Sequence, residues 1–308
     1  MSKDKYKVTN WKQYNEGLIK RGSISLWIED VVLDNWLYSG THKRGGKQLY
    51  SDLAIQTCLC LRKVYRLPLR QTQGFVQSIF KQSHIYLQVP DFTTISKRSE
   101  SLPVDLSSIK NGNVTDIVVD STGLKVYGEG EWKVRKHGAG KHRTWMKMHL
   151  AVDEKNQQIQ AVTLTTNAVQ DATEVKELLE QIDQPIGSFK GDGAYDKHKA
   201  RRELFGRNIR QVIPPQRNAV QLKKKYDFLE QREEAIRSIE EIGRKEWKIQ
   251  NDYHQRSKSE TAMFRYKTII GNNLSARKFK KQQTEVRIAC KILNIFLQAS
   301  KPVSRKIA

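Results

Sequence analysis

Four side chains with the chemistry of a catalytic site share one regular spacing towards the C-terminal end of the chain: Tyr253, Arg256, Glu260 and Lys267. At about 100° per residue, this spacing puts all four within roughly 60° of one another on a helix, along a stripe about 21 Å long. A carboxylate beside a ring and two cations suits a site that holds a metal ion against a phosphodiester. A single helix of this kind is usually a solvated face, so other carboxylates must decide between these interpretations.

Two upstream carboxylates supply that test. Asp120 lies in the segment VVDSTG and Asp192 in the segment GDGAYD, and we predict that each stands at the end of a strand. Strand ends form the edge where open α/β sheets gather their ligands, and the glycines beside Asp192 would let substrate or backbone approach closely. With Glu260, the three acids are expected to hold two Mg²⁺ ions about 3.5–4 Å apart, with Mn²⁺ as a substitute.

Each acid also has a simpler explanation. Asp120 could cap a turn at a strand end, and Asp192 could serve only to form a turn. Asp196, in the same segment as Asp192, is expected to cap the following helix. Glu260 could form only an i,i+4 ion pair with Arg256, worth about 0.3–0.5 kcal/mol on an exposed helix. All three explanations holding together in one strongly basic chain is the less favoured outcome.

The charge of the chain points to an anionic partner. Its 308 residues include 55 Lys and Arg against 33 Asp and Glu, a net charge of +22. Nucleic acid is therefore the leading partner and an anionic membrane the second. No apolar run approaches the roughly 20 residues that span a bilayer, and the start lacks a signal peptide's apolar segment, so we expect a cytoplasmic protein. Three cysteines fit no zinc spacing and are expected to be buried thiols: Cys58, Cys60 and Cys290.

Residues 1–110 are predicted to form a small helical region that binds DNA. Helical periodicity begins after Ser51 and resumes after Pro68, and Asp91 is placed to N-cap a short third helix. Short helices around tight turns suggest a helix-turn-helix-like reader, with Lys97 and Arg98 as DNA contacts. The alternative is an ordinary helical bundle.

Residues 114–270 show a different periodicity. The predicted order is three strands, a helix that opens at Asp171, a strand, a helix and a strand, followed by helices that include an insert at about 216–250. Hairpin strands followed by alternating helix and strand predict an α/β fold with a mixed sheet flanked by helices. Residues 271–308 are predicted to form a basic C-terminal helix.

A basic segment after the first strand could also meet DNA. It crowds glycines and cations around one indole ring, and its candidate DNA contacts are Trp132, Arg135, Lys136 and Arg143. Stacking of such a ring on an unpaired base contributes about 1–3 kcal/mol. A solvated basic hairpin is the alternative. No Gly-rich phosphate loop or dinucleotide fingerprint occurs in the sequence, which argues against ATP-driven or nicotinamide-dependent chemistry.

The two aspartate segments and the four-residue stripe together resemble the DDE transposases of bacterial insertion sequences, most closely the insertion-sequence 5 family. The resemblance spans roughly residues 116–267, and the first 110 residues resemble that family's DNA-binding region less specifically. It implies an RNase H-like core that binds terminal inverted repeats, nicks the element ends and joins the freed 3′-hydroxyls to target DNA. Such a protein would be bacterial and associated with the nucleoid.

The resemblance also implies roles for individual residues. Asp120, Asp192 and Glu260 would be the metal-binding and catalytic triad, while Tyr253, Arg256 and Lys267 would hold the DNA backbone near the cleaved bond. Joining two ends to one target implies at least a homodimer on DNA. Two alternatives stay open, a DNA-binding repressor derived from such an enzyme and an RNase H-like nuclease that does not join strands.

Overall fold

The computed structural model describes residues 5–41, 48–106, 115–126, 145–222 and 226–307. The strands are β1 (Lys5–Val8), β2 (Thr115–Val126), β3 (Trp145–Asp153), β4 (Ile159–Thr166), β5 (Ile186–Lys190), β6 (Arg210–Val212), β7 (Asn273–Leu274) and β8 (Ser304–Ile307). The helices are α1 (Trp11–Arg21), α2 (Asp30–Asp34), α3 (Asp52–Val64), α4 (Leu69–Gln82), α5 (Phe92–Arg98), α6 (Val175–Leu179), α7 (His198–Gly206), α8 (Glu230–Ile242), α9 (Arg244–Gln250), α10 (Ser257–Arg265) and α11 (Phe279–Ala299).

The chain divides into two compact units. The first contains Met1–Asp105 together with Arg287–Ala308, and the second contains Leu106–Val286. In the first unit, β1 pairs antiparallel with β8, so the two ends of the chain lie side by side. The predicted domains, residues 1–110, 114–270 and 271–308, stay a prediction. In the structure the last 22 residues belong to the same compact unit as the N-terminal helices.

Helices α3, α4 and α5 pack on one another in the first unit. The hydroxyl of Ser51 caps α3 by accepting from Ala54 N at 3.1 Å. The Asp91 carboxylate caps α5 as predicted, accepting from Thr93 N at 2.8 Å and from Thr94 N at 3.0 Å. Such caps satisfy backbone donors that the first helical turn leaves open. The starts of α3 and α5 are therefore encoded locally.

The cysteines are buried, as the sequence analysis predicted. Cys58 and Cys60 lie inside α3, and Cys290 lies inside α11. Burial raises the pKa of the Cys58 and Cys60 thiols to about 12 and raises the pKa of Cys290 further. Since the thiolate is the reactive form, these side chains act as small apolar groups in the core.

A six-stranded mixed sheet forms the centre of the second unit. Five strands follow the order β4-β3-β2-β5-β6, and β7 pairs with β2 farther along that strand. The hairpin strands β2, β3 and β4 are antiparallel, whereas β5 and β6 run parallel to β2. This topology confirms the predicted RNase H-like mixed sheet flanked by helices.

One apolar cluster fastens helices to this sheet. Ile117 and Val119 of β2 and Phe189 of β5 are fully buried against α6 and α7. Residues 117–119 of β2 are all buried, as expected for a central strand covered on both faces. The run of β-branched residues before Asp120 therefore places that acid at the centre of the sheet.

Several predicted element boundaries were wrong. Strand β2 continues to Val126, because β3 pairs with it through Lys125, so Asp120 lies within the strand and not at its end. The helix expected to open at Asp171 begins at Val175, after a short 3₁₀ turn. Among the residues that the structure describes, no helix is both long and apolar enough to span a bilayer.

The predicted single helix through the four-residue stripe consists of three segments. Tyr253–Arg256 is a 3₁₀ turn, Ser257–Arg265 is α-helical and Tyr266–Ile270 is a π-helical turn. In a 3₁₀ turn, residues three apart are eclipsed, so Tyr253 and Arg256 still lie in line with each other. The α-helical segment then brings Glu260 one turn beyond Arg256.

Candidate active site

A gap in the sheet beside β2 leaves Asp120 without a neighbouring strand on one side. Strand β5 pairs with β2 only as far as Val118, opposite Lys190, and β7 rejoins β2 on that side only at Lys125. The 3₁₀ turn Tyr253–Arg256 contacts both β2 and β5 at this place. Asp120 therefore reaches the site in mid-strand because its neighbouring strand ends two residues earlier.

Asp192 follows the end of β5 and enters the same region. Its carboxylate caps the 3₁₀ turn Gly193–Tyr195 by accepting from Ala194 N at 2.9 Å. Burial is the main cause that raises the pKa of Asp120, and the negative charge of Asp192 raises that pKa further. The two carboxylates therefore lie within electrostatic range of each other.

Gly191 is required by packing within the protein. A Cβ atom at Gly191 would lie 2.8 Å from the Tyr195 ring and 3.0 Å from the Phe189 ring. The Tyr195 ring folds back over this glycine and meets the Phe189 ring edge to face, with centroids 5.6 Å apart. The sequence predicted that this glycine would let substrate or backbone approach, and in the structure the group that approaches Gly191 is the Tyr195 ring.

The prediction that Asp196 caps a helix was wrong. Its buried carboxylate instead accepts from Arg201 Nε at 2.8 Å, from Arg232 Nε at 3.2 Å and from Gln216 N at 3.2 Å. Arg232 belongs to α8, in the helical insert, so this ion pair ties the insert to the loop that carries Asp192. No local sequence pattern reveals a partner 36 residues away.

The side chain of Arg256 joins two of the predicted acids. Its Nη1 donates to Asp120 Oδ2 at 2.9 Å, and its Nη2 donates to Glu260 Oε1. Asp120 and Arg256 are about four-fifths buried, whereas the Glu260 side chain is 55% exposed. The simple i,i+4 pair that the sequence allowed is present, but the same guanidinium also holds Asp120.

Tyr253 closes one side of this group. The side chain is half-buried, with its ring 6.5 Å from Trp247 and the ammonium of Lys248 lying 5.0 Å above it. Burial chiefly raises the pKa of Tyr253, Arg256 lowers it, and the charges of Asp192 and Asp120 raise it again. The pKa of the Tyr253 phenol therefore depends on both aspartates and on the guanidinium.

The structure thus assembles five of the predicted site residues in one place: Asp120, Asp192, Tyr253, Arg256 and Glu260. Lys267 is exposed on the π-helical turn. In the first unit, Lys97 is exposed, while Arg98 donates to Tyr50 O at 2.9 Å and to the Asp52 carboxylate. The remaining predicted DNA contacts lie outside the described residues: Trp132, Arg135, Lys136 and Arg143.

The fit of this group to a metal ion depends on Arg256. Among the described residues, no three acids, histidines or cysteines are grouped so that they could hold a metal as they stand. At this site a guanidinium lies between Asp120 and Glu260 and supplies the positive charge that their oxygens attract. The donor set consists of carboxylates, which favour hard cations such as Mg²⁺ and Mn²⁺. The carboxylate chemistry therefore fits a divalent ion, while in this structure Arg256 holds two of the three acids.

Comparison with known proteins gives two matches to family models, each described as a transposase DDE domain. One spans residues 19–129 and the other spans residues 115–295. Among solved structures, the chain is similar to a piggyBac transposase synaptic complex with hairpin DNA, at 10% identity and a TM-score of 0.39, covering 96% of this chain and 78% of that chain.

Two other solved structures share less of their length with it. One is a Drosophila P element transposase strand transfer complex, at 9% identity and a TM-score of 0.29, covering 55% of this chain and 42% of that chain. The other is a Mos1 transposase paired-end complex with the left transposon end, at 10% identity and a TM-score of 0.21, covering 56% of this chain and 61% of that chain.

Proposed function

This chain belongs to the DDE transposase family, and on that premise we propose that it cuts and joins DNA by metal-dependent phosphoryl transfer at Asp120, Asp192 and Glu260. In this proposal it is a bacterial enzyme of the insertion-sequence 5 family. It binds terminal inverted repeats, cleaves the element ends and joins the 3′-hydroxyls to target DNA. The observation that carries the proposal is the single Arg256 guanidinium that donates to both Asp120 and Glu260, with Asp192 just beyond the end of the neighbouring strand β5.

Asp120, Asp192 and Glu260 would hold the metal ions. Two bound Mg²⁺ ions, or Mn²⁺ in their place, supply charge that activates the attacking oxygen and stabilises the leaving oxygen. The protein contributes position, because Asp120 lies in a central strand and Asp192 is held by its own turn. Glu260 is the most exposed of the three acids and stands on the side from which DNA would approach.

Arg256 would change partners during the reaction. In the free protein it donates to both Asp120 and Glu260 and offsets part of their negative charge. With Asp120 and Glu260 holding a metal ion instead, the Arg256 guanidinium would be free to bind a DNA phosphate in bidentate geometry. Tyr253 and Lys267 would hold the same strand, with Lys267 farther along from the cut. In this proposal Arg256 links the metal ligands to the binding of DNA.

The rest of the chain would supply affinity for DNA. A net charge of +22 favours binding to a polyanion through release of counterions. The helices of the first unit, with Lys97 and Arg98, and the basic segment with Trp132, Arg135, Lys136 and Arg143 are the proposed further contacts. The protein would act in the bacterial cytoplasm on the nucleoid, as at least a homodimer when two ends are joined.

The test is a cleavage and joining assay on a labelled duplex that carries the flanking inverted repeat. Wild-type protein should nick the repeat end with Mg²⁺ and not with chelator, and should transfer the labelled strand to a supercoiled plasmid. Asp120→Ala, Asp192→Ala and Glu260→Ala should each abolish both products while leaving affinity for the duplex nearly unchanged.

The alternatives give different results in the same assay. A repressor binds the repeat and produces no nick with either metal. A nuclease produces nicks that do not depend on the repeat and transfers no strand. Nicking retained by all three alanine variants would refute the assignment of these acids.

A further inference from the structure

The turn that joins β3 to β4, residues 153–158, touches all three elements that carry the predicted acids. In the structure, Glu154 N donates to Asp116 O of β2 at 2.8 Å. The Glu154 carboxylate accepts from Lys190 Nζ at the end of β5, and Glu154 O accepts from Lys258 Nζ of α10 at 2.7 Å.

Each of these contacts lies close in sequence to one acid. Lys190 precedes Asp192 by two residues, Lys258 precedes Glu260 by two residues, and Asp116 precedes Asp120 by four. One residue, Glu154, therefore bonds to a neighbour of every member of the triad. Three elements that are far apart in sequence are held at the same point.

We propose that Glu154 is a positioning residue that sets the distances among Asp120, Asp192 and Glu260, with Lys190 and Lys258 as its partners. This inference rests on the proposed function, in which those three acids hold the metal ions. Metal sites need their ligands within about 0.5 Å of the productive geometry, and the groups that orient the ligands supply that precision. The turn acts through the three elements and does not itself touch the metals or DNA.

The turn is built rigidly enough for this role. The Asp153 carboxylate accepts from Lys155 N at 2.7 Å, from Asn156 N at 2.9 Å and from Thr115 Oγ1 at 2.7 Å. Gln157 has a positive φ of 63°. This conformation is uncommon for a residue other than glycine, so the surrounding contacts must hold it in place. This arrangement holds the backbone of Glu154 in one place.

The two lysines are constrained in different ways. Lys190 is buried, with 5% of its surface exposed, so its ammonium depends on the Glu154 carboxylate for compensation. Lys258 is partly buried, and a second bond on the same helix, from Arg265 Nη2 to Gln157 Oε1, also ties α10 to the turn. The helix that carries Glu260 is thus held at two points against residues 154–157.

The experiment measures Mn²⁺ affinity of the full-length protein without DNA, by calorimetry, in Lys258→Met and Glu154→Gln. Each variant should bind Mn²⁺ about tenfold more weakly. Loss of a group that orients metal ligands typically weakens metal binding by about 10- to 100-fold, and we expect the lower end of that range. Duplex affinity should stay unchanged, and Lys258→Arg should restore Mn²⁺ binding because its guanidinium can still donate to Glu154 O. Thermal unfolding of each variant monitors the fold.

Lys176→Met is the matched control. Lys176 lies in the same unit and pairs with Glu180 on the helix surface, so its removal should leave Mn²⁺ affinity unchanged. The double variant Glu154→Gln/Lys258→Met should lose less than the product of the two single losses, since both act through one turn. Equal losses in Lys176→Met would mean a nonspecific effect and would overturn the proposal.

Benchmark variants separate this inference from the proposed function. If Glu260→Gln weakens Mn²⁺ binding while Lys258→Met and Glu154→Gln bind like wild type, Glu154 is not a positioning residue. If Glu260→Gln and Asp192→Asn themselves bind Mn²⁺ like wild type, the metal assignment fails and the inference fails with it.

Discussion

Replacing Arg256 by glutamine should make the free protein bind divalent metal more tightly. In the structure this guanidinium donates to both Asp120 and Glu260, so a metal ion must compete with it for the same oxygens. Loss of a positive charge near three acids also strengthens their attraction for a cation. An arginine that merely supported the metal ligands would give the opposite result.

The size of the effect follows from the exposure of the partners. A hydrogen bond to a charged group contributes about 1.5–3 kcal/mol when sheltered, and an exposed ion pair contributes less than about 1 kcal/mol. The Arg256 and Asp120 side chains are 21% and 19% exposed, whereas Glu260 is 55% exposed, so the Asp120 contact dominates. A loss of about 1.5–3 kcal/mol from the Asp120 contact corresponds to roughly 10- to 150-fold tighter Mn²⁺ binding.

Calorimetric titration of DNA-free protein with Mn²⁺ measures this change. Arg210→Gln is a suitable control, because Arg210 donates to the neutral amide of Asn251 at 3.0 Å and its removal releases no carboxylate. The same Arg256→Gln variant should bind repeat DNA more weakly, with a salt dependence reduced by about one ion. Unchanged or weaker Mn²⁺ binding in Arg256→Gln would refute the idea that the guanidinium and the metal compete.

Three further predictions concern stability, each measured by urea unfolding. Asp196→Ala should lower the unfolding free energy by about 3–5 kcal/mol, because it leaves two arginines without their buried partner, and a loss under about 1 kcal/mol would contradict that network. Gly191→Ala should cost about 1–3 kcal/mol by crowding the Tyr195 ring, whereas Gly206→Ala, with open space around it, should be neutral, and equal effects would argue against the packing explanation. Burial lowers the pKa of His149 to about 4, opposed by Asp171 and assisted by Lys147. As pH falls, His149 is therefore protonated in the unfolded chain before it is protonated in the folded protein. Its contribution to the unfolding free energy is present above about pH 6.5 and falls by about 2 kcal/mol by pH 5. The variant His149→Gln should lack this fall.

The sheet could be predicted from sequence because its signals are local. Runs such as the one before Asp120 and the alternation in β4 are short, β-branched and bounded by turn residues. The extent of β2 could not be predicted in the same way. The residues after Asp120 are of types common in turns: Ser121, Thr122 and Gly123. They stay extended because they pair with β3, which lies more than 20 residues later in the sequence.

The convergence of the site residues followed from motif spacing, but their actual contacts did not. Arg256 was predicted to contact DNA, and in the structure it lies between two acids. Its contact with Asp120 could not be predicted, because it depends on how β2, β5 and the 3₁₀ turn meet. Asp196 was expected to act locally and instead binds an arginine of the helical insert. The role proposed for Glu154 likewise depends on three elements meeting at one turn, which no single segment encodes.

The most direct test of the metal assignment is replacement of each acid by cysteine, with nicking of the repeat duplex measured in Mg²⁺ and in Mn²⁺. Thiolates bind softer cations and disfavour Mg²⁺. We predict that Asp120→Cys, Asp192→Cys and Glu260→Cys lose nicking in Mg²⁺ and regain part of it in Mn²⁺, while the alanine variants stay inactive in both. Full activity of any cysteine variant in Mg²⁺ would contradict the assignment of that acid as a metal ligand.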